Sequence, residues 1–145
     1  MSDSITIRRA QETEVPLVLA FIRELAEYEH LTHEVVATEE GMRLALFGPR
    51  PYAEVVFACV AAEPVGFALF FHNFSTFLGR PGIYLEDLFV RPAARGLGVG
   101  QRLLGWLAAQ AVERGCGRLE WAVLMEQWKI FRLTGDALAR LAQKE

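Results

Sequence analysis

The spacing of apolar residues along this chain changes between alternation, which is typical of strands, and recurrence every three or four residues, which is typical of helices. Alternating or continuously apolar runs predict six strands, at residues 4–9, 54–62, 65–76, 82–90, 118–124 and 128–133. Helical spacing predicts one helix after Thr13, one after Thr38, one over residues 97–114 and one after Thr134. A tight turn at Glu63 and Pro64 would join the second and third strands into a hairpin.

The order of these elements is a strand, two helices, three strands, and then a helix, two strands and a last helix. No repeat, low-complexity segment or linker divides them, so the sequence predicts one domain over residues 1–145. The fold class expected from this order is mixed α/β (α+β). The chain has 145 residues, 52% of them hydrophobic and 23% charged, which is enough for a single core.

Composition and charge exclude several classes of function. The formal net charge of −3 argues against nucleic acid as a partner and allows a small cationic ligand. The N-terminal residues lack the apolar centre of a signal peptide, and no apolar run is long enough for a membrane span, so we expect a soluble, cytoplasmic protein. Cys59 and Cys116 are too few for a disulfide framework. The three histidines have no acid or cysteine at ligand spacing, so no metal is expected.

Three glycines, at positions 96, 98 and 100, lie where a strand's exit loop becomes a helix. Glycine adopts positive φ readily and lets a ligand approach the backbone closely, while a helix N-terminus offers unpaired N–H groups. Arg95 and Arg102 add positive charge, so the segment predicts a site for phosphate oxygens. The residues that follow lack the Gly-Lys-Ser/Thr of a P-loop. The alternative is a glycine-rich loop that only permits close packing.

Two adjacent acids, Glu86 and Asp87, interrupt the apolar strand before this turn. Neighbouring side chains on a strand point to opposite faces, so the two carboxylates share one site only if a bulge intervenes. The alternative is that one acid faces solvent and the other pairs with an arginine. A buried acid on a central strand would have to be satisfied by a partner.

The pattern Arg95-x-x-Gly98-x-Gly100 follows the strand sequence YLEDLFV at 84–90. Together they resemble the acetyl-CoA-binding motif of the GNAT family of N-acetyltransferases, and the wider match resembles its diamine (spermidine/spermine-type) acetyltransferase branch. Further matching segments are ELAEYE at 24–29 and VGFA at 65–68. The resemblance runs from about Ile5 to Leu124 and resumes near Trp128. It implies a central, mostly antiparallel twisted sheet of about six strands flanked by helices.

The resemblance also implies acetyl-CoA as the co-substrate, with no metal. The pantetheine arm would pair with the backbone of the strand before the glycine turn, and the pyrophosphate would lie on the amides that follow. The implied cofactor-binding residues are Leu88, Phe89, Val90, Arg95, Gly96, Leu97, Gly98, Val99, Gly100, Gln101 and Arg102.

The resemblance implies that Glu86 is the catalytic residue, which would hold the substrate ammonium and accept its proton. Tyr28, Glu29 and Asp87 match positions that bind the far end of a diamine. The implied activity is acetyl transfer from acetyl-CoA to a primary amine of a small cationic substrate, a polyamine or a lysine-like amine, by direct attack in a ternary complex. The branch is usually homodimeric. The apolar residues Phe70, Phe74 and Trp106 belong either to such an interface or to the core.

The resemblance breaks after Leu124, where the family continues with a turn, a helix that carries the tyrosine used as general acid, and a bend. No residue of this sequence takes the position of that tyrosine. Either the protein has further residues between Leu124 and Met125 that the sequence omits, or it lacks the helix. In the second case its strands meet in a tight hairpin at Met125, Glu126 and Gln127. The second case favours a catalytically impaired acyl-CoA-binding module. A third alternative is a structural protein whose glycine turn holds no ligand.

Overall fold

The structure is a computed structural model that describes residues 4–124 and 128–144. Its strands are β1 (Ile5–Arg9), β2 (Glu54–Val60), β3 (Glu63–Ser75), β4 (Arg80–Val90), β5 (Arg118–Leu124) and β6 (Trp128–Thr134). Its helices are α1 (Val15–Tyr28), α2 (Glu39–Phe47), α3 (Val99–Glu113) and α4 (Gly135–Ala142). Single 3-10 turns occupy Glu12–Glu14, Thr32–Glu34 and Pro92–Ala94.

The six strands form one sheet in the order β1-β2-β3-β4-β5-β6. Every neighbouring pair is antiparallel except β4 and β5, which run parallel and are connected by α3, because parallel neighbours need a crossover. The parallel pairing covers only residues 83–85 of β4. In the part of the chain that the structure describes, β5 therefore pairs with β4 no further than Leu85, and the rest of β4 keeps β3 as its strand neighbour. The predicted mixed α/β sheet of six strands is confirmed.

Apolar residues form a layer on each face of the sheet. The layer that contains α3 includes Ile83, Leu85 and Leu119 of the sheet and Leu103 of the helix. The layer that contains α1 includes Phe67 and Phe89 of the sheet. Phe21 of α1 stacks on Phe67 with ring centroids 5.3 Å apart. Because alternate residues of a strand enter opposite layers, these two layers identify the face on which each site residue lies.

The predicted turn between the second and third strands is wrong by two residues. Ala61 and Ala62 form the turn, with φ angles of 52° and 68°, and Glu63 and Pro64 already belong to β3. Two-residue hairpin turns that follow the twist of the strands often need positive φ at both central positions. Glycine or asparagine usually signals such a turn, and their absence here hid it from sequence reasoning.

Two helix starts also differ from the sequence prediction. The helix predicted at residues 97–114 begins at Val99, and Gly98 is its N-cap with φ 83°. Thr13 lies inside a 3-10 turn, so it does not cap α1. The predicted cap at Thr38 is confirmed, because its hydroxyl accepts a hydrogen bond from the amide of Gly41 at 3.1 Å. Thr134 is the N-cap residue of α4 but makes no side-chain capping bond.

Candidate active site

A β-bulge lies at the acid pair. Asp87 is opposite Leu69 of β3, but Leu85 is opposite the next residue, Phe70, so Glu86 is an extra residue in β4. The extra residue reverses the alternation of the strand: Leu85 packs in the α3 layer, whereas Asp87 lies on the same face as Phe89, which packs in the α1 layer. The condition that sequence reasoning set for a shared site is therefore met.

Glu86 and Asp87 both line one cleft, of about 620 Å³. Glu29, at the end of α1, lines the same cleft. The cleft lies where β4 and β5 cease to pair, and its other lining residues are Leu25, Tyr84, Leu85, Leu88, Trp121, Ala122, Val123 and Ile130. Three carboxylates, from β4 and the end of α1, thus meet beside the part of β4 that is not paired with β5. Tyr84 was not predicted as a site residue, although it begins the strand motif.

The protonation of Asp87 depends on its burial and on the two neighbouring acids. Burial of this half-buried side chain, together with the negative charges of Glu86 and Glu29, raises its pKa to about 6. Glu86 itself is exposed. A bound cation would favour the ionised form of Asp87, so the cleft is electrostatically suited to an ammonium group.

The substitution Asp87→Asn is expected to stabilise the fold by about 1–2 kcal/mol at pH 8. An aspartate in an unfolded chain has a pKa near 3.9, whereas burial and the neighbouring acids raise the pKa of Asp87 in the fold to about 6. The energetic cost of its charge is therefore absent below pH 4, grows between pH 4 and 6, and is complete above that range. Urea denaturation at pH 4 and pH 8 measures the difference. An equal gain at both pH values would contradict this electrostatic cause.

The structure places Tyr28 beside the glycine turn. Its ring packs edge-on against Phe89 at 6.2 Å, and the guanidinium of Arg95 lies 4.7 Å from the ring centroid. Arg95 Nε also donates a hydrogen bond to the carbonyl of Val90 at 3.0 Å. Tyr28 is 62% exposed and is not among the residues that line the acid cleft. Its predicted contact with substrate stays a prediction.

The glycine turn owes its shape to two of its three glycines. Gly96 and Gly98 both have φ 83°, and a Cβ at either position would meet nothing within 4 Å. Space therefore remains above these positions for a ligand, and backbone conformation is what favours glycine there. Gly100 lies within α3, and a Cβ on it would make ordinary contacts, 3.8 Å from Leu88 and 3.9 Å from Val90.

The remaining predicted cofactor-binding residues differ in how exposed their side chains are. Leu97 and Gln101 are exposed, whereas Val99 is 2% exposed and packs in the α3 layer, so only its backbone can contact a ligand. Arg102 is half-buried in the first turn of α3. The segment 88–90 pairs through one edge with residues 66–68 of β3. No β5 pairing within the described residues reaches the other edge, which can therefore accept an extended amide-bearing ligand.

An ion pair that sequence reasoning did not assign connects α1 to the exit of β4. Arg91 donates from Nε and Nη2 to the two carboxylate oxygens of Glu24, each at 3.0 Å. It also donates to the carbonyl of Pro64 at 3.2 Å, and its guanidinium lies 4.3 Å from the ring centroid of Phe21. Glu24 is the first residue of the segment ELAEYE, but only the fold shows that its cation partner is Arg91.

Comparison with known proteins decides the family. The model of the acetyltransferase (GNAT) family matches residues 20–129, which include the acid strand, the glycine turn and α3. This chain belongs to the GNAT family. It is therefore an acetyltransferase, and the family implies acetyl-CoA as co-substrate.

Named relatives of this GNAT chain agree with the resemblance to the diamine acetyltransferase-like branch, which is confirmed. A thialysine N-epsilon-acetyltransferase of Bos taurus is 34% identical over 168 residues, covering 97% of this chain and 98% of its own. An L-ornithine N5-acetyltransferase of Arabidopsis thaliana is 31% identical over 194 residues, 91% of this chain and 85% of its own. The bovine alignment is longer than the 145 residues of this chain, so that relative has residues without a counterpart here.

Solved structures show the same fold. An integron cassette protein from the mobile metagenome of V. cholerae is 28% identical with a TM-score of 0.64, covering 97% of this chain and 98% of its own. An aminoglycoside acetyltransferase from an uncultured soil metagenomic sample, 17% identical, has a TM-score of 0.71 over 84% of this chain and 79% of its own. At this low identity, the similarity shows only that the two proteins share a fold.

None of the helices formed by residues 4–124 and 128–144 is both long and apolar enough to cross a membrane. Within the same ranges, no group of three or more His, Cys, Asp or Glu side chains is placed to hold a metal ion. The predicted hairpin at Met125, Glu126 and Gln127 lies outside the described residues.

Proposed function

We propose that this acetyltransferase transfers the acetyl group of acetyl-CoA to a primary amine of a small cationic substrate, by direct attack in a ternary complex. The observation that carries the proposal is the bulge at Glu86, because it directs two adjacent carboxylates into one cleft beside the open edge of β4. Membership of the GNAT family supports the rest, since it implies the acyl donor.

The donor would bind along the strand and turn that sequence reasoning selected. The open edge of β4 at Leu88, Phe89 and Val90 offers backbone groups to the pantetheine arm. The unobstructed positions above Gly96 and Gly98, and the N-terminal amides of α3, suit the pyrophosphate. Arg95 and Arg102 add positive charge at the rim of this site.

The acids would prepare the amine for attack. An alkylammonium is mostly protonated near neutral pH, so it must lose a proton before its nitrogen can act as a nucleophile. Glu86 accepts that proton, directly or through water, and the nitrogen then forms a bond to the acetyl carbon while the bond from that carbon to sulfur breaks. The nitrogen then gives its second proton to the departing thiolate, so the products are the N-acetylated substrate and CoA as a free thiol. Glu29 and Asp87 hold a second positive group of the substrate, and Tyr28, which packs against Arg95 at the glycine turn, is a further predicted substrate contact.

The substrate class would be a polyamine or a lysine-like amine. The relatives named for thialysine and L-ornithine, and the human spermidine/spermine-type relative at 26% identity, support both options. We place the protein in the cytoplasm as a homodimer, without nucleic acid or membrane partners. The tip of the β3–β4 hairpin supports a protein contact, because Phe74, Phe77 and Leu78 are exposed there. Phe70, in contrast, is fully buried and packs against Trp106 with ring centroids 5.9 Å apart, as expected for core residues.

A catalytically impaired acyl-CoA-binding module is the second candidate. It is favoured by one observation: no residue of the sequence takes the position of the family's general-acid tyrosine after Leu124. Such a protein would keep the glycine turn and the open edge of β4, and would bind acyl-CoA without turnover.

A substrate screen separates these candidates. The protein is incubated with acetyl-CoA and, in turn, with L-lysine, L-ornithine, putrescine and spermidine. At least one of these amines is expected to cause release of free CoA thiol, which is measured with a thiol reagent. Binding of CoA in a calorimeter with no thiol release from any amine would support the impaired module. If CoA neither binds nor raises the melting temperature, the glycine turn holds no ligand and the proposal fails.

A further inference from the structure

The acid cleft is lined from both faces of the sheet. Leu85, Leu88 and Trp121 belong to the α3 layer or pack against it, whereas Leu25 packs against the α1 layer. Asp87 lies on the face of α1, two residues from Phe89 on the same strand. The cleft has an apolar side towards α3 and an acidic side towards α1, and the two sides meet where β4 and β5 cease to pair.

The apolar side of the cleft leads from the glycine turn. A Cβ on Gly100, in the first turn of α3, would lie 3.8 Å from Leu88 and 3.9 Å from Val90. Val90, Leu88 and Leu85 therefore form a row on the α3 side, which begins at the turn and ends where the pairing of β4 with β5 begins. A pantetheine arm that pairs with residues 88–90 would follow this row and bring its acyl end towards Glu86.

Trp121 closes the far end of this row. In the part of the chain that the structure describes, it is the last residue of β5 that pairs with β4, and it stands opposite Leu85. Its ring stacks on Phe131 of β6, with ring centroids 5.8 Å apart and the planes 13° apart. On the opposite face, Glu120 accepts a hydrogen bond from Arg132 Nε at 2.8 Å, so β5 and β6 are joined by side chains on both faces. These contacts hold the indole in place.

We propose that Trp121 limits the length of the acyl group that this acetyltransferase transfers. The inference rests on the proposed function and adds the selectivity for the acyl donor. An acyl chain on the sulfur would continue in the direction of the arm and meet the pair formed by Leu85 and Trp121, which pushes back against each added methylene. The other way out leads past Glu29, Glu86 and Asp87, where an apolar chain would displace water from carboxylates and compete with the amine.

Donors of increasing length test this limit: acetyl-, propionyl-, butyryl- and hexanoyl-CoA, each with one amine that the wild-type protein acetylates. One methylene changes kcat/KM by roughly 10- to 200-fold in an apolar pocket, so amine-dependent thiol release is expected to give a kcat/KM at least ~100-fold lower for butyryl-CoA than for acetyl-CoA. Trp121→Ala is expected to raise the ratio of butyryl to acetyl transfer by at least ~10-fold. Both donors are measured on the same protein preparation, so a loss of folded protein cancels from the ratio.

Calorimetry without an amine tests the same limit in binding. The wild-type protein is expected to bind hexanoyl-CoA at least ~10-fold more weakly than acetyl-CoA, because the longer chain has to be forced against the indole. In Trp121→Ala this difference is expected to narrow. Equal affinity of the wild-type protein for the two donors would contradict the limit.

The matched control is Trp106→Ala. Trp106 is likewise a partly buried tryptophan of the α3 layer that packs against another aromatic ring, that of Phe70 at 5.9 Å, but it does not line the cleft. This variant is expected to keep the wild-type ratio of butyryl to acetyl transfer. Because Trp121→Ala leaves a cavity beside Phe131, its melting temperature is measured alongside, and Trp121→Leu serves as a second, smaller change.

The outcomes separate this inference from the proposed function. Equal use of acetyl-CoA and butyryl-CoA by the wild-type protein overturns the limit and leaves the acetyltransferase proposal intact. An unchanged ratio in a folded Trp121→Ala variant overturns the assignment to Trp121, and so does a rise of the same size in Trp106→Ala. If Trp121→Ala does not fold, the ratio in Trp121→Leu decides in the same way. Failure of every donor to release thiol with any amine would refute the proposed function itself.

Discussion

The variant Glu86→Gln is expected to lose about 10²- to 10⁴-fold in turnover near pH 7, where an amine substrate is protonated. Glutamine has almost the same shape as glutamate and keeps a hydrogen-bonding oxygen, but it cannot accept the proton that the ammonium must release. Since an alkylamine loses its proton near pH 10.4 without help, the deficit is expected to narrow as the pH approaches that value. A pH profile of CoA thiol release, recorded with saturating acetyl-CoA, measures the deficit.

The position of Glu86 makes this variant informative. The bulge leaves Glu86 without a partner on β3 and the side chain is exposed, so the substitution removes no packing and is expected to leave the melting temperature nearly unchanged. Glu113→Gln is a suitable control, because Glu113 is another exposed glutamate, at the far end of α3. Full activity of Glu86→Gln at every pH would show that another group, with Asp87 as the nearest candidate, accepts the proton.

Gly98→Val is expected to weaken CoA binding by at least ~10-fold and to destabilise the fold by about 1–2 kcal/mol. Gly98 has φ 83°, a conformation that a β-branched residue rarely adopts. The valine must either hold this strained conformation or shift the backbone and so misplace the first amides of α3. Isothermal calorimetry with CoA and urea denaturation measure the two effects separately.

The control for Gly98→Val carries the same backbone strain at the other end of the helix. Gly115 has φ 72°, and, as at Gly98, a Cβ there would meet nothing within 4 Å. Gly115→Val is therefore expected to lose a similar amount of stability and to bind CoA as the wild-type protein does. Comparable CoA affinity in both variants would mean that the glycine turn does not hold the donor.

The elements and the family of this protein could be predicted from its sequence because both depend on local patterns. Alternation and helical spacing identified the six strands and the four helices, since each pattern reflects which residues of one element face a core. The acid strand and the glycine turn identified the family, since a motif of this kind is read from consecutive residues. The expectation that some glycines of the turn need positive φ followed from the same local chemistry, and the structure shows that they are Gly96 and Gly98.

The sequence by itself determined the candidate residues for the chemistry, namely an acid pair on a strand and the glycine turn that follows that strand. Only the tertiary structure decided that Glu86 and Asp87 enter one cleft, because a bulge depends on how β4 registers with β3. The same holds for the meeting of Glu120 with Arg132, on different strands, and for the burial of Val99 inside the cofactor motif. The physical reason is common to all three: strand register and the packing of a helix on a sheet join residues distant in the chain, and no local pattern specifies that pairing.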